Sequence, residues 1–79
     1  MRLDKYLKVS RLIKRRTIAN EACDAGRILV NEKTARASYE VKEGDLITIN
    51  LGQNPLTVKV ISVIEHIRKD DAASMYVAH

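Results

Sequence analysis

The sequence predicts an α+β fold: two N-terminal helices packed on a small, mostly antiparallel curled sheet, with a short helix at the C-terminus. Three observations carry that expectation. Apolar residues recur at helical spacing as far as about residue 25, the period changes to two from Arg27, and Gly26 stands between the two regimes. With 79 residues there is room for one modest core, so a single domain over residues 1–79 is expected. No window is apolar enough to cross a bilayer, the opening MRLDKYLKVS lacks a signal-peptide core, and a lone Cys23 suits a reducing compartment. A soluble cytoplasmic chain with no membrane partner follows as an expectation.

The first helix is expected over residues 2–9, RLDKYLKV. Leu3 and Leu7 stand four apart with Tyr6 beside them, while Arg2, Lys5 and Lys8 recur every third residue on another face. Asp4 and Lys8 have the spacing of an i,i+4 ion pair, worth about 0.2–0.5 kcal/mol. Ser10 weakens the pattern, so Arg11–Ile13 reads as a tight connection anchored by Leu12 and Ile13.

A second helix is expected from about Lys14 to Ala25. Ile18, Ala22 and Ala25 form its stripe, flanked by Ala19 and Cys23, and small residues there allow close approach to a neighbour. Gly26 follows as a left-handed C-terminal cap.

Beyond Gly26, RILVN reads as a strand and TARAS as its partner, joined through Asn31-Glu32-Lys33. A turn at Glu43-Gly44-Asp45 leads to a strand over Leu46–Leu51, with Ile47, Ile49 and Leu51 on one side. After the turn GQNP, PLTVKVISVIEHI reads as a long strand, with Val58, Val60 and Ile64 on one face and Ile61 and Val63 on the other. The tail KDDAASMYVAH adds a short helix, with Asp70 or Asp71 as N-cap and Met75 and Tyr76 packing back.

Charge is the strongest functional signal. The net charge is +4, yet residues 1–16 carry seven basic side chains against Asp4 alone, whereas residues 17–79 hold seven basic and nine acidic ones. So segregated a positive field points to a polyanion. Lys14, Arg15 and Arg16 sharpen this, because they crowd a helix start where backbone N–H groups already favour anions. A phosphate supplied from outside resolves the conflict.

The motifs RLDKYL, KRRT opening a small-residue helix, GRILVN, and YEVKEGD before a strand resemble the small RNA-binding domain named after small-subunit ribosomal protein S-four. The resemblance covers about residues 1–51, leaving 52–79 as an added strand and tail. Glu32 departs from the glycine usual in that family's VNG turn. MRLDKYLKVSRLIKRRT together with AASMY is similar to the stand-alone RqcP (YabO) family, related to the heat-shock protein that binds stalled large ribosomal subunits. That resemblance implies a factor of ribosome-associated quality control. Its implied partners are large-subunit rRNA, peptidyl-tRNA and an RqcH-type tailing factor, and its implied role is to steady the tRNA while alanines are added without a template. Carried over by motif, the RNA-facing residues are Arg2, Asp4 and Lys5 with Arg15 and Arg16. Lys8, Arg11, Lys14 and Arg27 join them from position and charge. Arginine holds two phosphate oxygens at once, so Arg2, Arg15 and Arg16 carry most weight. Asp4 either pairs with Lys8 or a neighbouring arginine, or accepts a hydrogen bond from a base or ribose hydroxyl.

Catalysis, metal and cofactor find little support. Cys23 lies on the small-residue face with no histidine near in sequence, which suits core packing. His66 and Asp70 are two groups, too few for a metal site, and His79 is terminal. The three glycines are scattered rather than gathered into a phosphate loop. Three tyrosines with no Phe or Trp make a poor stacking platform, so shape and backbone recognition of folded RNA is favoured. A protein adaptor using Val58–Ile64 and a regulator placing the second helix in duplex DNA remain the competing readings, the latter with only Asn20 to read bases. A monomer is expected.

Overall fold

The computed structural model describes residues 1–65 and 69–79. The elements are α1 (Leu3–Val9), α2 (Arg16–Asp24), β1 (Ile28–Val30), β2 (Lys33–Thr34), β3 (Leu46–Ile49), β4 (Leu56–Val60), a 3-10 helix (Lys69–Met75) and β5 (Tyr76–Ala78). The strands form one open sheet in the order β2-β1-β3-β4-β5, antiparallel at every pairing. The expected α+β architecture is present, with a fifth strand added at the edge.

Alternation builds the core. Ile28, Val30, Ile47, Ile49, Val58 and Val60 lie on one face of the sheet, and Leu3, Tyr6 and Leu7 of α1 close over them with Ala19, Ala22 and Cys23 of α2. Each large apolar side chain so buried contributes about 1.5–3 kcal/mol. The α2 stripe is displaced by one position from the expected one. Ile18 is 44% exposed and Ala25 lies at the surface, while Ala19, Ala22 and Cys23 face inward. Side-chain size rather than hydropathy selected that face, since only small groups let α2 approach α1.

Gly26 caps α2 as expected, at φ +73°. Its N–H donates to the Cys23 carbonyl (3.0 Å) and that of Arg27 to the Ala22 carbonyl (2.9 Å), the bond pair of a Schellman motif. At α1 the N-cap, Arg2, offers no capping side-chain bond. The segment after β2 takes that role. Leu3 N–H donates to the Tyr39 carbonyl (2.8 Å), Asp4 N–H to that of Ala37 (3.2 Å), and the N-terminal ammonium pairs with Glu40 (3.0 Å). The chain must bend away from the sheet to reach α1, so TARAS gives only Thr34 to the hairpin.

The β1–β2 turn places both Asn31 (φ 52°) and Glu32 (φ 71°) in the left-handed region, as a two-residue I′ turn requires. Glu32 therefore adopts the conformation a glycine would. Asn31 is held by Asp45, whose carboxylate also accepts from the Tyr39 hydroxyl (2.9 Å) and the Lys42 N–H (3.0 Å).

The long strand expected over residues 55–67 stops at Val60, because β3 ends opposite it and β5 offers three residues of pairing. Ile61 and Ile64 are exposed, and Leu51 leaves the β3 face for solvent. His66 and Ile67, also in that reading, lie outside the described residues. Asp70 and Asp71 fall inside the 3-10 helix rather than capping it. Met75 is fully buried and its carbonyl accepts the Tyr6 hydroxyl (2.9 Å), tying the tail to α1. Tyr76 then opens β5, a strand the sequence pattern had assigned to a helix end.

Candidate nucleic-acid interface

The surface around the two helix starts is organised by one carboxylate. Asp4 is buried on α1 and accepts from the Lys5 N–H (2.8 Å) and the Asn20 amide of α2 (3.2 Å). Arg2 reaches it through Nε at 3.3 Å, and Arg16 through Nε at 3.4 Å. Burial by itself would raise this carboxyl's pKa. The Asn20 and Arg16 side chains and the Lys5 N–H more than offset that, and the group sits below its ordinary value. One buried anion thus holds two guanidinium groups, each within reach of both its oxygens.

Both arginines remain about half exposed, at 48% and 46% of the side chain. Each presents five N–H donors and spends one or two on Asp4, leaving the others aimed at solvent. The pair and its carboxylate keep a net positive charge. Of the two partners weighed for Asp4, the neighbouring arginines are the ones found, and Lys8 is not among them. An i,i+4 pair would have required Asp4 on the exposed face of α1.

The remaining predicted residues stand outside this clamp. Arg15 is the extended N-cap of α2 and Lys14 precedes it, so Arg16 alone stands in the first turn where both arginines were expected. Lys8, Arg11, Lys14, Arg15 and Arg27 are exposed, and among the described residues none forms an ion pair. Lys5 leans the other way, toward Glu65 at 3.4 Å. Arg11 sits just past α1 with φ 64°, a conformation that favours glycine.

Arg36 was missed. It shares with Arg2 the rim of an open cleft of about 630 Å³ between α2, the β1–β2 hairpin and the strap that caps α1. Nothing in the period-two pattern of TARAS separates Arg36 from a strand residue. Its position follows from the bend that serves α1. Cys23 lies at the same cleft but belongs to the core, where burial and then the charges of Asp4 and Asp24 push its thiol up to about 11. Such a thiol is protonated at neutral pH and suits packing, not nucleophilic attack. Val58 and Val60, central to an adaptor surface over residues 58–64, are spent on the core.

Two helices strapped to a small antiparallel sheet, with a basic helical half, define an α+β class of fold suited to a polyanion. Residues 1–47 match the family model of the S4 domain, and the chain belongs to that family. Within it the chain is 55% identical over 76 residues to the RQC P-site tRNA stabilizing factor of Halalkalibacterium halodurans, covering 96% of this chain and 86% of the relative. It is 54% identical over 76 residues to the factor of the same name from Bacillus subtilis, covering 96% and 88%. The solved structure of Heat Shock Protein 15 from Vibrio cholerae, described as trimeric, superposes with a TM-score of 0.93 at 28% identity, over 100% of this chain and 81% of that one.

Proposed function

We propose that this chain is a non-catalytic RNA-binding factor of ribosome-associated quality control. It holds rRNA and P-site tRNA on a large ribosomal subunit that still carries peptidyl-tRNA. Beside an RqcH-type factor, it supports template-independent alanine tailing of the trapped peptide. The observation that carries the reading is the Asp4 clamp, which fixes two guanidinium groups at the surface of the half that holds the excess positive charge. Fixed donors lose little freedom when a phosphodiester docks, so a small chain gains orientation as well as affinity. The relatives named for P-site tRNA stabilization support the tRNA part of the reading.

The RNA-facing set is Arg2, Arg15 and Arg16, with Lys5, Lys8, Arg11, Lys14 and Arg27 extending the field and Asp4 orienting its arginines. Replacing Arg15 and Arg16 together by alanine removes two exposed cations, one of them a guanidinium partner of the buried Asp4. The double variant is expected to stay folded with a somewhat lower melting temperature, because Asp4 keeps only Arg2 as a cationic partner, to lose co-sedimentation with large subunits at raised salt, and to show a salt dependence shallower by about one to two phosphate contacts. In cells, stalled chains isolated with this variant should carry fewer C-terminal alanines. A double variant that still co-sediments at raised salt overturns the site.

A further inference from the structure

The open cleft beside the clamp carries polar groups of two kinds in two places. Arg2 and Arg36 supply cations, while Asn20 and Asp24 lie one turn apart on α2 and line the same wall. The orientation of Asn20 is set by Asp4: an ionised carboxylate only accepts, so the amide nitrogen faces it at 3.2 Å. The carbonyl oxygen of Asn20 accepts no hydrogen bond from the described residues, and Asp24 is exposed with no ion pair among them. The α2 wall therefore offers the Asp24 carboxylate and the Asn20 carbonyl as acceptors, beside the second Asn20 N–H, and its negative charge repels phosphate and favours hydrogen-bond donors. The two arginines that line the cleft do the reverse. At about 630 Å³ the cleft falls within the ~300–1,000 Å³ usual for small-molecule sites.

We infer that this cleft receives one unstacked base of the bound RNA, with guanine the best match, its donor edge against Asp24 and Asn20 and its flanking phosphates against Arg2 and Arg36. The inference rests on the RNA-binding reading above and adds base selectivity to it. Guanine presents adjacent N1–H and N2–H donors, which one carboxylate accepts bidentately, and Asn20 is one helical turn away for a ribose 2′-hydroxyl. Uracil brings a single N–H to the same wall. Backbone contact at Arg15 or Arg16 draws on no such distinction.

The test uses the full chain and two RNA hairpins identical but for one bulged nucleotide, guanosine or uridine, titrated at fixed salt. The guanosine hairpin is expected to bind about tenfold tighter. Asp24→Asn should erase that preference without weakening the uridine hairpin, since it removes a negative charge beside a polyanion. A merely structural role for Asp24 would shift both hairpins alike. Arg15→Ala, away from the cleft, should weaken both hairpins equally and leave the ratio intact. Equal binding of the two hairpins by the unmodified chain, or a preference that survives Asp24→Asn, overturns the cleft while leaving the backbone interface standing. Failure of both hairpins to bind at low salt overturns the RNA-binding reading and this inference with it.

Discussion

Two buried aspartates divide the molecule. Asp4, in the helical half, is surrounded by Arg2, Arg16, Asn20 and the Lys5 N–H, and Asp45, beside the hairpin, by Asn31, Tyr39 and the Lys42 N–H. Both have their oxygens satisfied, as burial demands. They differ in what the donors do next. Around Asp45 the donors are neutral and the network ends there, pinning a strained turn. Around Asp4 two donors are cations with unspent N–H groups at the surface. A carboxylate solvated by neutral groups is a structural part; one solvated by half-exposed arginines is a platform for another anion.

The sharpest way to break this comparison is to delete each carboxylate. Asp45→Ala leaves the Tyr39 hydroxyl, the Asn31 amide and the Lys42 N–H without their acceptor and frees a turn with two left-handed non-glycine residues. A loss of about 2–3 kcal/mol is expected, lowering the melting temperature by roughly 10–20 °C in a chain this small. RNA affinity of the folded protein should be unchanged. If affinity falls in step with stability, the two halves are not separable.

Asp4→Asn should cost less stability, about 1–2 kcal/mol, because the amide keeps part of the network. Here RNA affinity is the telling measurement. The substitution adds one unit of positive charge, which favours RNA, but releases the anchor of two arginines, which opposes it. If positioning dominates, affinity falls despite the added charge. A rise would reduce Asp4 to a neutraliser. Thermal melts against pH separate its electrostatic part. The folded carboxyl sits below its ordinary value of 3.8, so its stabilisation is complete above that value and fades as pH falls through the folded value. The stability gap between native chain and Asp4→Asn should therefore hold at pH 6 and narrow below about pH 4.

The helical half was more legible than the sheet, for physical reasons. Leu3, Tyr6, Leu7 and the Gly26 cap are local signals, and all four stand where spacing put them. The α2 stripe slipped because Ile18 dominates any hydropathy pattern, while the buried face is defined by what is small. Strand ends depend on partners: the β-branched run to Ile64 has no β3 residue to pair beyond Leu46, and β5 exists because β4 has a free edge. The arginines of the proposed interface were legible as charge. That Asp4 binds Asn20 sixteen residues away, and that Arg36 shares a cleft with Arg2, depend on the docking of α1 on α2 and on the strap over residues 37–41.

The smallest effects come from the two halves' left-handed residues, Glu32 in the hairpin and Arg11 after α1. A non-glycine residue there carries strain, and glycine relieves more than its added chain entropy costs, so each change to glycine should stabilise by about 0.5–1 kcal/mol. The comparison predicts that the gains diverge in function. Glu32→Gly should raise the melting temperature by a few degrees and remove a negative charge far from the clamp, with the RNA salt slope unchanged. Arg11→Gly should give a similar rise while making that slope shallower by about one phosphate contact. Strain retained by a cation in the helical half is then explained by what the cation binds. Equal salt slopes for the two variants would place Arg11 outside the interface and leave its left-handed backbone a feature of the α1–α2 connection alone.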